Sequence, residues 1–358
     1  MSEDKSILFH TQNYIGDESE NQQENILNDI NSNGKVRDWS GKKQQSLKLS
    51  ASYGRLGWKR ESEYWIKRAV KVTYCGSVLT FKECAEHSYR KLIRAQFCKD
   101  RLCPMCNWRR SRALAKQVID ILHEANSRKK MQFLFLTLTV KNCHGDDLVK
   151  TIKAMFQGFN RLFKYKAIDN ITIGYVRALE ITRNKRTGEY HPHFHVLIGV
   201  SPKYFKGKDY IKQEQWIALW KKAMKLDYDP SVNIKKVRPK KEGQTVEAAA
   251  YETAKYTVKD AEYIVEDKEG RVDTKNTDEA VYYLAEALHG KRLIAFGKIF
   301  KEVRKDLKLQ DLESDEADLV GADEEEECKC PICKSDLKEI MYEWNVGLNQ
   351  YTEIKGKP

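Results

Sequence analysis

The sequence has no uninterrupted apolar run of membrane-spanning length, and its first residues, MSEDKSILFHTQNYIGDESENQQ, lack the basic stretch and apolar core of an export signal. These absences argue against a helical membrane protein and make a cytoplasmic location the expectation, with no membrane partner. Self-similarity at the period of solenoid repeats is also missing, so a stacked-repeat architecture is not expected. The nine cysteines are odd in number. Without an export signal they fit reduced thiols or metal ligands better than a disulfide framework. Acidic residues are the minority, 52 against 64 lysines and arginines, for a net charge of +12. That balance favours a polyanionic partner, nucleic acid ahead of an anionic membrane, through phosphate neutralisation and counterion release.

Few apolar positions occur in residues 1–50, which are rich in Asn, Gln, Ser, Asp and Glu and are expected to form a disordered arm. Residues 311–327 close on five consecutive acidic residues, Asp323 to Glu327, and read as an acidic linker. Beyond it, residues 328–358 form a tail with Cys328, Cys330 and Cys333: three thiols with no obvious fourth partner, which a site shared between two chains would resolve. Between these flanks, Phe133 to Val140 alternates as a core strand. Asp146 and Asp147 are placed to cap a helix whose Leu148, Ile152, Met155, Phe159, Leu162 and Phe163 recur at helical spacing. Residues 171–182 and 191–200 predict a hairpin around a polar loop. An amphipathic helix over 211–224, a basic strand over 232–238 and a helix over 245–259 follow. The order β-α-β-β-α-β predicts an α+β fold of ferredoxin-like type, a central antiparallel sheet with helices on one face.

Two imidazoles of the segment YHPHFHVL, His193 and His195, fall on the same side of a strand, with His191 to spare. Glu180 joins them if the hairpin closes with 180 facing 193 or 195. Two nitrogens and one carboxylate leave coordination positions open for a phosphate oxygen, which suits Mg²⁺ or Mn²⁺. The run AAAYETAKYTVK would place Glu252, Tyr256 and Lys259 along one helix face. A phenol attacking phosphorus needs help in losing its proton and an offset for the phosphate charge, roles for a nearby metal and Lys259. The product would be a 5′-phosphotyrosine and a free 3′-hydroxyl. Glu252, one turn away, is placed to act as general base for water at a later step.

Cys98, Cys103 and Cys106 lie in a run dense in lysine and arginine. Cys75, or alternatively Cys84 with His87, would complete a tetrahedral zinc site, with Cys75 preferred. Arg109, Arg110 and Arg112 open the next helix and are candidates for phosphate contacts, as are Lys235, Lys236 and Arg238 ahead of the tyrosine helix.

Taken together, FLTLT at 135–139, YHPHFHVL at 190–197 and ETAKYTVK at 252–259 resemble, in order and spacing, the three motifs of HUH-endonuclease replication initiators of rolling-circle plasmids. The likeness is nearest the single-tyrosine group with a glutamate one turn before the nucleophile, and it runs from about Cys75 to Leu307. It implies an HUH catalytic domain over 126–310 beside a cysteine-rich, zinc-binding, DNA-contacting N-terminal module over 51–125. It also implies a protein that nicks one strand at the double-strand origin through Tyr256, with His193, His195 and Glu180 on the metal, and that terminates with the help of Glu252. The implied partners are plasmid origin DNA, as single-stranded nick site and flanking duplex, with host helicase and DNA polymerase. A single-tyrosine transposase or relaxase, or a non-catalytic origin-binding regulator, are the competing readings; the last should lack Tyr256, His193 or His195, and all three are present.

Overall fold

The computed structural model describes residues 26–30, 34–87, 89–238, 262–321, 329–330 and 332–354. Among these residues the architecture is mixed α and β, with every named strand pairing antiparallel in a five-stranded and a four-stranded sheet.

Two helices open it, α1 (Trp39–Arg60) and α2 (Glu63–Thr73). Part of the expected disordered arm, residues 39–50, is therefore helix. Asp38 caps α1 by accepting from the Gly41 amide. The polar composition that suggested disorder is accommodated by burial with partners: the fully buried Lys43 ammonium donates to the carbonyls of Thr73 and Cys75 and to Ser77 Oγ. Strands β1 (Val78–Glu83) and β2 (Arg90–Ala95) follow, then the long helix α3 (Pro104–Arg128).

The larger sheet is built from β3 (Gln132–Thr139), β4 (Gly174–Arg183), β5 (Tyr190–Val200), β6 (Val232–Lys236) and β7 (Ile294–Lys298), in the order β6-β3-β5-β4-β7. Helices α4 (Gly145–Leu162), α5 (Lys166–Ile171) and α6 (Gln213–Met224) connect its strands, and α7 (Thr274–Leu288) and α8 (Ile299–Asp306) lie towards the C-terminal side. Leu148, Ile152, Met155, Phe159 and Leu162 are the buried stripe of α4, as their spacing predicts. Its cap position is His144, so Asp146 and Asp147 occupy the first turn, where their charge meets the helix dipole.

Alternation along β3 divides the sheet into two faces. Leu134, Leu136 and Leu138 join Leu179, Ile181, Phe194, Val196 and Ile198 in the core that includes α4 and α6. The other face changes character along the strands. At one end Phe133, Val176 and Leu197 are sealed beneath Leu114, Val118 and Ile121 of α3 and Phe300 and Val303 of α8, so helices cover part of both faces and not the single face expected. At the opposite end it turns polar, which is where the candidate site lies.

Of the acidic linker and the tail expected after residue 310, residues 322–328, with the acidic run Asp323 to Glu327 and Cys328, lie outside the described residues. Leu312, Ala317 and Leu319 are buried, and the tail forms strands β8 (Lys338–Asn345) and β9 (Gln350–Glu353). The smaller sheet has the order β2-β1-β8-β9, so the earlier pair of strands lies beside the later pair, joined through β1 and β8. No helix among the described residues is long and apolar enough to cross a membrane.

Candidate active site and metal centres

Register carries the site. The β4–β5 hairpin pairs Glu180 with His193 and Ala178 with His195, and β3 places Thr139 beside His193 and Thr137 beside His195. Directly opposed residues share a face, so Glu180, His193, His195, Thr137 and Thr139 form two adjacent rows on the polar end. Glu180 Oε2 lies 2.6 Å from His195 Nε2 and 3.3 Å from His193 Nε2. The outward nitrogens are tied down: His193 Nδ1 is 3.0 Å from the His191 carbonyl oxygen, which fixes Nδ1 as the donor, and His195 Nδ1 is 3.4 Å from Thr137 Oγ1. Phe135 stacks on the His195 ring at 5.3 Å. Anchoring Nδ1 turns both Nε2 atoms toward the point that Glu180 also addresses, the usual arrangement around metal-ligating histidines. Burial pushes the Glu180 carboxyl up, but hydrogen bonds with His193 and His195 outweigh it and hold the group well below the ordinary carboxylate range. The anion is thus retained where a cation needs it. His191 shares the face one row further out and pairs with Asn142 Oδ1 at 2.9 Å, apart from the three.

The nucleophile candidate Tyr256, with Glu252, Lys259 and the helix expected over 245–259, lies outside the described residues. Its flanks are described. Strand β6 leads to Arg238, and at the other flank Glu262 Oε2 accepts from the Arg183 amide at 2.7 Å, at the end of β4 beyond Glu180.

Cys75, Cys98, Cys103 and Cys106 converge on one point. The sulfur separations are 3.5 Å for Cys75–Cys106 and 3.6 Å for both Cys98–Cys106 and Cys75–Cys103. A tetrahedron of thiolates at the roughly 2.3 Å of a zinc–sulfur bond has edges of about 3.8 Å, so the donor set fits that ion closely. The amides of Cys98 and Lys99 point at the Cys75 and Cys106 sulfurs. Cys103 caps α3, with Pro104 in its first turn, which sets Cys103 and Cys106 at a helix N-terminus. The alternative fourth ligands, Cys84 and His87, lie elsewhere, beside Cys330 and Cys333.

The basic candidates divide. Lys235, Lys236 and Arg238 are exposed, and Lys235 pairs with Phe135 on the same face as the histidines. Arg109 is a correction: it is 1 % exposed and donates to the carbonyls of Leu319 and Val320, so it holds the 312–320 segment and is closed to phosphate. Arg110 does similar work, donating to the carbonyls of Leu312 and Lys99, and Arg112 lies over the Trp108 ring. Spacing alone showed these arginines opening a helix; it could not show a later segment folding over them.

Residues 89–352 match the family model described as Rep_1, replication protein. The chain belongs to the Rep_1 replication-protein family. It is 41 % identical over 338 residues to "Protein rep" of Bacillus amyloliquefaciens, covering 91 % of this chain and 96 % of that one. "Protein rep" of Lactiplantibacillus plantarum is 39 % identical over 332 residues, with 91 % and 98 % covered. "Protein rep" of Streptococcus pneumoniae is 40 % identical over 332 residues, with 92 % and 96 % covered. No solved structure matches significantly. The kinship with replication initiators is therefore met, and it extends beyond the expected Leu307 boundary into β8 and β9.

Proposed function

We propose that this Rep protein starts rolling-circle replication of a plasmid by nicking one strand of origin DNA with Tyr256. The supporting observation is the convergence of Glu180 Oε2 and the two Nε2 atoms at the polar end of an otherwise sealed sheet face. The fourth strand β6 lies beside the first, β3, with α4 packed against α6, as the ferredoxin-like HUH reading requires. Residues 126–310 would be the catalytic domain, with the cysteine module of 51–125 beside it.

A bound Mg²⁺ or Mn²⁺, held by Glu180, His193 and His195, would supply Lewis acidity towards the scissile phosphate. The residues do the rest. The Tyr256 phenol attacks phosphorus in line, forming the Tyr–O–P bond as the P–O3′ bond breaks, and the departing oxygen takes up a proton to leave a 3′-hydroxyl primer. Lys259 offsets phosphate charge. Tyr256 is six residues from Glu262, a chain reach of roughly 20 Å, and Glu262 is bonded beside the strand end that carries Glu180. Glu252 takes the proton of a water in the hydrolytic step that ends a round. Lys235, on the same face, contributes to guiding single-stranded DNA across the sheet. Zinc held by Cys75, Cys98, Cys103 and Cys106 would fix the module that engages flanking duplex.

The test is covalent capture of a single-stranded origin oligonucleotide on a denaturing gel. Tyr256→Phe should form no adduct while binding duplex origin normally; an adduct at the wild-type level would remove the mechanism.

A further inference from the structure

We infer that Cys84, His87, Cys330 and Cys333 form a second structural zinc site, one that clasps the C-terminal hairpin to the N-terminal module. The four donor atoms lie within 4.8 Å of one another, although Cys84 and Cys333 are 249 positions apart. Cys84 Sγ is 3.5 Å from His87 Nδ1 and 3.6 Å from Cys333 Sγ, and Cys330 Sγ is 3.8 Å from His87 Nδ1. Zinc–sulfur and zinc–nitrogen bonds of about 2.3 and 2.0 Å generate tetrahedral edges of roughly 3.5–3.8 Å. The spacing Cys-x2-His with Cys-x2-Cys is a usual ligand pattern for this ion.

The backbone makes the same argument independently. The amides of Glu86 and His87 are directed at the Cys84 sulfur, and those of Ile332 and Cys333 at the Cys330 sulfur. Two turns thus present sulfur in the same way, each with the amides two and three residues on bonded to its first cysteine, and they face each other. Ser335 Oγ lies 2.9 Å from Cys333 Sγ and 3.7 Å from Cys84 Sγ. The fold delivers the turns together: the β1–β8 ladder ends at Glu83 opposite Lys338, Cys84 follows on one strand, and Cys333 and Ser335 precede the other. Cys84 and Cys330 are buried, 7 % and 0 % exposed, so thiols here are withdrawn from water while surrounded by other ligand atoms. Cys330 and Cys333 therefore need no second chain for completion.

The test is the zinc content of full-length protein purified without chelator, counted above that of the Cys98→Ser/Cys333→Ser double variant so that any ion in the Glu180 site is subtracted. Wild type should carry two equivalents, Cys333→Ser and Cys98→Ser one each, and His87→Cys should keep two. Two equivalents in Cys333→Ser, or one in wild type that Cys333→Ser retains, would overturn the clasp without touching the Cys98 site or the nicking mechanism. Cobalt substitution of wild type gives a readout that needs no variant. Seven thiolate ligands should yield charge-transfer absorption close to seven-fourths of that from four, and an intensity for four would likewise overturn it.

Discussion

Replacing Glu180 by Gln removes one negative charge from the point where His193 and His195 converge and leaves a neutral oxygen of nearly the same shape. Two effects oppose each other. Outer partners of metal ligands are worth about 10–100-fold in affinity, and a direct anionic ligand should exceed that. Against it, Glu180 bonds to both Nε2 atoms at 2.6 and 3.3 Å, contacts that metal ligation would replace. Losing them in the variant returns about 1 kcal/mol, roughly fivefold. The net expectation is Mn²⁺ binding weakened roughly 10–100-fold, or about 1.4–2.8 kcal/mol. Titrating Mn²⁺ by the paramagnetic resonance of the free ion, alongside adduct yield against Mn²⁺ concentration, measures it. His191→Ala is the control, because that ring lies on the same face but pairs with Asn142. Equal affinity in wild type and Glu180→Gln, or an equal loss in His191→Ala, would refute the assignment of Glu180 as a ligand.

Glu252→Ala should still nick but release unit-length circles abnormally; normal monomeric circles in a replication assay would contradict its role. Cys106→Ser should lower the zinc content by one equivalent and reduce thermal stability, and a zinc count equal to wild type would show that the four sulfurs hold no ion. Asp278, 3 % exposed, accepts from Arg55, Lys59 and Ser52 and ties α7 to α1. Burial raises its carboxyl, but the hydrogen bonds with Arg55, Ser52 and Lys59 prevail and lower it. A lowered folded-state value means that its contribution is present above the ordinary carboxylate range and disappears as pH falls through the folded value. Asp278→Asn should cost about 2–3 kcal/mol at neutral pH, discounted for the partial exposure of Arg55. Urea melts should show that difference shrinking in acid.

How much could be read in advance depended on range. The β4–β5 hairpin was legible because strict alternation and a short polar loop constrain register locally, and register alone sets Glu180 against His193. The α4 stripe was legible for the same reason. Helix α1 was not, since its buried face includes Lys43, Ser46 and Ser52, whose polarity is satisfied by partners distant in sequence. The arginines of α3 read as a DNA surface for want of any local sign that Leu319 and Val320 would fold across them. Cys84 with His87, and Cys330 with Cys333, were visible as fragments. Their union depends on a strand pairing that no short-range pattern encodes.

That pairing also has a consequence during translation. Strand β1 lies between β2 and β8, so one of its edges stays unpaired until the last part of the chain has been made. At about 5–20 residues per second the ribosome needs roughly 13–50 s to pass from β1 to β8. Throughout that interval the nascent polypeptide displays a strand edge awaiting its neighbour, a natural target for chaperones. A message cut short before residue 338 would leave that edge open for good.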